Sequence, residues 1–211
     1  MLDKYDYILF DWDGTLVKSL DRWHEALKKS LENHGYELSA KDIGANYQLF
    51  SERALSLAIN NADEVINDAY KYLESLPQTP TLSQGAKDVL KKLQAAGKKL
   101  AVVTTSTHRQ IDEPLKTIGV DLLFDVVVCA DDVTNLKPHP EPIELALSKL
   151  GGEPNRAIMI GDSSADILAA KAAGVDSILY FPKSHEIYYE HKNLKDLEPT
   201  YTVNSMSELN N

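Results

Sequence analysis

Ile8-Leu9-Phe10-Asp11-Trp12-Asp13-Gly14-Thr15 sets a short apolar run directly against two carboxylates one residue apart, followed by a glycine. An apolar run of that length, without polar alternation, reads as a strand buried on both faces. Two carboxylates so close repel and push one pKa upward, so the pair is tolerable where a cation lies between them or where one carries a proton for chemistry. Taken alone, Asp-x-Asp-Gly also fits a strand end and a turn. Its meaning depends on the rest of the chain.

Similar runs recur at Leu100 to Val103, Val126 to Cys129, Ala157 to Ile160 and Ser177 to Tyr180. Helical patterns separate them: Ala86, Val89, Leu90 and Leu93 between Ser83 and Gly97; Ile143, Ala146, Leu147 and Leu150 before Gly151; Ile167 and Leu168 through Ala172 before Gly174. Strand and helix in alternation predict right-handed crossovers and a mostly parallel sheet between helical layers, an α/β fold. Pro114 falls inside the Thr107 to Ile118 pattern, which predicts that this helix kinks or starts late.

From about Leu20 to Leu76 the rhythm changes to helical patterns alone: Trp23, Leu27 and Leu31; Leu55 and Ile59; Val65, Ile66, Ala69 and Leu73. The expected organisation is a core of residues 1–18 and 79–211 with a helical insert at 19–78. Thr15 to Ser19 would lead out, and the Pro-rich Leu76-Pro77-Gln78-Thr79-Pro80-Thr81 would lead back.

A chain of 211 residues can bury roughly 70% of the surface its unfolded form exposes. The single Cys129 cannot form an internal disulfide and reads as a small core residue, which fits a reducing cytoplasm. No h-region opens the chain, and no apolar stretch approaches the roughly 18 residues of a membrane span, so a cytoplasmic protein without a membrane partner is expected. A formal charge of −10 disfavours nucleic acid, yet local donors and a metal can still hold a small phosphate. A monomer or a homodimer is equally compatible with the sequence.

If the sheet is as predicted, Asp11, Asp13, Thr104, Lys137, Asp162 and Asp166 all fall just past the carboxyl ends of strands, where open α/β sheets bind ligands. Carboxylates from two strands suit Mg²⁺, while a lysine and a hydroxyl suit phosphoryl oxygens. One aspartate could attack phosphorus, and its neighbour could protonate the leaving oxygen and then activate water. The residue types thus point to phosphoryl chemistry on a small phosphorylated metabolite.

The chain resembles the haloacid dehalogenase superfamily through Asp11-Trp12-Asp13-Gly14-Thr15, Val103-Thr104-Thr105-Ser106, Lys137-Pro138-His139-Pro140-Glu141 and Gly161-Asp162-Ser163-Ser164-Ala165-Asp166. The resemblance implies a Rossmann-like three-layer core with a helical cap, and a phosphatase nearest the phosphoglycolate phosphatase-like branch. It implies Asp11 as nucleophile and Asp13 as general acid and base. Thr104, Thr105 and Lys137 would bind phosphate, and Mg²⁺ would lie on Asp11, Asp13 and Asp162 with Asp166 behind them. A sugar-phosphate mutase, in which the phosphoryl group passes to sugar, and a phosphate-binding protein without turnover are the alternatives. In the insert, Arg53-Ala54-Leu55-Ser56-Leu57 is similar to a string in caps of the β-phosphoglucomutase branch, and Lys18 replaces the aspartate usual before Ser19. Lys18 and Arg53 are therefore expected to bear on specificity. Ser163 with Asp166 also reads as a helix-capping box, and His108, Arg109 and His139 as surface or helix-terminus residues.

Overall fold

A computed structural model describes residues 1–39, 42–43, 58–76 and 81–210. Six strands form one parallel sheet: β1 (Tyr7–Phe10), β2 (Lys99–Val103), β3 (Val126–Val128), β4 (Ala157–Gly161), β5 (Asp176–Tyr180) and β6 (Tyr201–Val203), in the order β3-β2-β1-β4-β5-β6. β1 lies in register with both neighbours, Phe10 opposite Val102 on one side and Ile160 on the other. The chain winds outward from β1 to β3 and then returns to the far side of β1 as β4. The crevice at this reversal, past the ends of β1 and β4, is where a doubly wound sheet takes its ligand.

Among the described residues the helices are α1 (Leu20–Asn33), α2 (Ala62–Ser75), α3 (Ala86–Ala95), α4 (His108–Ile118), α5 (Glu141–Leu150), α6 (Ser164–Ala172) and α7 (His191–Lys195). Strand alternation divides the core between the two sheet faces. Ile8, Phe10, Leu100, Val102, Ile158 and Ile160 pack with Val89, Leu90 and Leu93 of α3 and Ile111 and Leu115 of α4. Leu9, Ala101, Val103 and Met159 pack with Ile143 and Leu147 of α5 and Ala169 and Ala170 of α6. Each fully buried large side chain contributes about 1.5–3 kcal/mol, so the carboxylates beyond β1 rest on a rigid floor. Cys129 is buried in the first of these clusters, as expected, and burial pushes its thiol up to about 12.

Two expectations change. α4 does not start late: it runs from His108, with Thr107 and Gln110 closing a capping box, and continues past Pro114 to Ile118. Pro114 cannot donate to the Gln110 carbonyl, but the capped first turn and buried Ile111 and Leu115 hold the helix together. β6 was not foreseen. It is a three-residue edge strand, Tyr-Thr-Val, in which Thr202 interrupts the apolar run that marks the others.

α1 and α2 pack around a cluster of their own, Leu27, Leu31, Ile43, Ile59, Val65 and Ala69. The segments entering and leaving this region pair with each other: Val17 bridges Leu82, the Lys18 N–H donates to the Thr81 carbonyl at 2.9 Å, and the Ser83 hydroxyl donates to the Thr15 carbonyl at 2.6 Å. Arg53, Leu55 and the Pro77 to Pro80 linker lie outside the described residues.

Candidate active site

The Asp11 N–H donates to the Ile160 carbonyl at 2.9 Å, so the backbone carries the β1–β4 ladder one residue past the strand and delivers the Asp11 side chain into the crevice. Gly14 then turns the chain at φ +77°, and a Cβ there would lie 2.4 Å from Asp162 Oδ2. Only glycine allows the β1 and β4 loops to approach so closely. The neighbouring Thr15 hydroxyl donates to Asp162 Oδ1 at 3.0 Å and joins the two loops.

Lys137 ties the centre together. Its Nζ donates to Asp11 Oδ1 at 2.7 Å, to Asp166 Oδ1 at 2.6 Å and to the Val103 carbonyl at 2.9 Å. Burial alone would lower its pKa, but the two carboxylates outweigh that and hold it charged, above the ordinary lysine range. Burial pushes Asp11 up to about 8 against the pull of Lys137, with Asp166 and Asp13 adding repulsion. Burial, then Asp11 and Asp166, likewise push Asp162 well upward. One buried ammonium thus faces more carboxylates than it can neutralise. Asp11, Asp162 and Asp166 each offer an oxygen within 4.8 Å of the others, a donor set that fits a hard divalent cation.

Asp166 plays two parts at once. Its Oδ2 accepts from the Ser163 N–H and hydroxyl, closing the capping box of α6, while its Oδ1 faces Lys137. The helix-start and site readings of this segment are therefore compatible.

Thr104 is buried, and its hydroxyl accepts from the Ser106 N–H at 3.1 Å. Thr105 beside it is exposed. Ser106, from the same motif, touches Asp13: its hydroxyl donates to Asp13 Oδ2 at 2.8 Å. Asp13 is half-buried and faces a cleft whose lining includes Lys18, Arg22, Trp23 and Gln110. Lys18 is exposed there, and Arg22, unsignalled by any motif, comes from the first turn of α1. Thr15 also escaped sequence reasoning, being too common a residue type to stand out. His108 lies outside the cluster, bonded to Asp112 and Asp132, and Arg109 and His139 are exposed.

The chain is similar to several known proteins. The pyrophosphatase PpaX of Bacillus pumilus is 42% identical over 212 residues, covering 96% of this chain and 93% of the relative. The phosphoglycolate phosphatase of Colwellia psychrerythraea is 33% identical over 191 residues, covering 84% of each. The crystal structure of a predicted phosphoglycolate phosphatase from Haemophilus somnus superposes with a TM-score of 0.78 at 26% identity, over 99% of this chain and 98% of that one. The model of the haloacid dehalogenase-like hydrolases matches residues 8–180, from the first buried strand to the last residue of β5. The chain belongs to the haloacid dehalogenase-like hydrolase family.

Proposed function

We propose that this hydrolase is a Mg²⁺-dependent phosphatase of small phosphorylated metabolites and that it works through an aspartyl-phosphate on Asp11. The observation that carries the reading is the pairing of roles past β1: Asp11 is fixed against Lys137, while Asp13, two residues on, is held toward the open cleft by Ser106. An Asp11 oxygen attacks phosphorus as the bond to the leaving oxygen breaks, and Asp13 gives that oxygen its proton. Asp13 then takes a proton from water as the water oxygen attacks phosphorus, which frees Asp11 and releases phosphate. Lys137 and the Thr104–Ser106 turn bind the phosphoryl oxygens and spread their charge. Mg²⁺ on Asp11, Asp162 and the Asp13 carbonyl, with Asp166 behind, would neutralise developing negative charge when bound.

Residues 19–78 act in this reading as a cap that excludes water. Their own apolar cluster and the paired connecting segments support a unit distinct from the core. Lys18 and Arg22 beside Asp13 suit a substrate with a second anionic group beyond the phosphoryl group undergoing transfer. The names of the two relatives, a pyrophosphatase and a phosphoglycolate phosphatase, support the same class. Among the described residues no helix is long and apolar enough to cross a membrane, and the one cysteine is buried and free, which supports a cytoplasmic setting.

The test is phosphate release from pyrophosphate, phosphoglycolate, β-glucose 1-phosphate and p-nitrophenyl phosphate, with Mg²⁺ and with EDTA. Turnover should require metal, favour pyrophosphate and phosphoglycolate, the two substrates with a second anionic group, and fall at least about 10³-fold in Asp11→Asn. A folded protein that binds Mg²⁺ yet releases no phosphate would replace this reading with transfer or simple binding.

A further inference from the structure

One more segment reaches the carboxylates: the stretch after β5, from Phe181 to Leu194. Three enclosed polar atoms meet there without a hydrogen-bond partner among the described residues, namely Asp162 Oδ2, His185 Nδ1 and the Tyr189 hydroxyl. His185 Nδ1 stands 3.7 Å from Asp162 Oδ2, and the Tyr189 hydroxyl lies near the same carboxylate. Leu20, Ile167, Leu179, Phe181 and Leu194 make the rest of this pocket apolar. An unpaired buried polar atom costs about 1–3 kcal/mol, a cost that apolar side chains at 185 and 189 would avoid. The segment is also anchored from behind, since the Tyr188 hydroxyl donates to Asp21 of α1 and its ring packs on His24 with centroids 5.4 Å apart.

We propose that His185 and Tyr189 are positioning residues for Asp162, holding its Oδ2 side so that the carboxylate keeps one orientation toward the divalent cation. Thr15 already restrains Oδ1 at 3.0 Å; the imidazole and the phenol complete the restraint from the other side. The role is that of outer groups around a metal centre, which orient ligands they do not replace. It rests on the reading of Asp162 as a metal ligand.

The experiment is titration of the full chain with Mn²⁺, free ion being followed by electron paramagnetic resonance, alongside phosphate release as a function of Mg²⁺ concentration. Tyr189→Phe removes only the hydroxyl and keeps the ring among Leu20 and Leu194. His185→Leu removes the polar edge, and His185→Asn returns a polar atom near Nδ1. Tyr189→Phe and His185→Leu should each weaken Mn²⁺ binding about tenfold or more. Their kcat should recover at saturating Mg²⁺, and their metal-free thermal midpoints should equal or exceed the wild-type value. His185→Asn should regain most of the affinity. Binding within twofold of wild type in Tyr189→Phe and His185→Leu would overturn the proposal and leave the metal reading intact. So would a loss of activity that saturating Mg²⁺ does not repair. A wild-type chain that binds no Mn²⁺ would overturn the metal reading and this proposal with it.

Discussion

Gly161→Ala is a severe test of how the site is built. Gly161 ends β4, and a Cβ there would fall 2.2 Å from Asp166 Cγ and 2.4 Å from its Cβ, whereas carbon atoms rest at about 3.5–4.0 Å. Asp166 would have to retreat by more than about 1 Å, giving up the 2.6 Å contact with Lys137 and the 2.5 and 3.1 Å contacts with Ser163. Breaking a buried ion pair costs about 3–5 kcal/mol and overpacking about 1–3 kcal/mol. The sum of about 4–8 kcal/mol corresponds to a fall in Tm of about 8–30 °C for a chain of this size. Gly174→Ala is the control: nothing lies within 4 Å of its added carbon, and only the strain of φ +68° remains, about 1–2 kcal/mol. Both variants would be followed by thermal melting and by phosphate release. A Gly161→Ala midpoint no lower than that of Gly174→Ala would refute the claim that Asp166 is wedged between β4 and Lys137.

Because burial raises the folded-state pKa of Asp11 to about 8 without metal, its contribution to stability is full below about pH 4 and is lost as pH rises toward about 8, and Asp162, raised in the same direction, acts with the same sign. Calorimetry should therefore find Mg²⁺ affinity rising by up to about tenfold per pH unit for each proton released between pH 5.5 and 7.5, and a flat profile would contradict it. Arg22→Ala should lower kcat/KM for pyrophosphate or phosphoglycolate about tenfold or more, with Lys18→Ala acting in the same direction, while p-nitrophenyl phosphate changes less than about threefold. Equal losses on all three substrates would remove Arg22 from recognition of the second anion. Hydrogen bonding to Asp112, joined by Asp132, raises the His108 pKa, so its contribution is present at low pH and disappears as pH rises through that value. His108→Gln should melt about 2–4 °C below wild type at pH 5.5 and level with it above pH 8, the size expected of an exposed pair.

The sheet was legible because strands covered on both faces must be apolar throughout, as Leu100 to Val103 and Ala157 to Ile160 are. β6 was not, since Thr202 breaks its apolar run, whereas the other edge strand, β3, is half-buried to the same degree but is valine throughout. Asp11, Asp13, Lys137 and Asp162 could be grouped because each follows such a strand, so predicting the strands also predicted their meeting. Ser106 and Thr15 act through single hydroxyls, which nothing in a sequence separates from other serines and threonines. His185, Tyr189 and Arg22 are recruited by tertiary packing from the tail after β5 and from α1, where no motif marks them.

The pairing of Thr15–Lys18 with Thr81–Ser83 fixes where leverage can arise. Both crossings of the chain are laced together beside Asp13 and beside Thr15, whose hydroxyl is bonded to Asp162. Any rotation of the helical pair about this lacing leaves atoms near the axis almost still and moves distant ones in proportion to their radius. α2, with 14 residues, is about 21 Å long, so a turn of about ten degrees would sweep its far end through nearly 4 Å. The mouth of the cleft could therefore open widely while Asp11 and Asp13, the proposed nucleophile and proton carrier, keep their spacing.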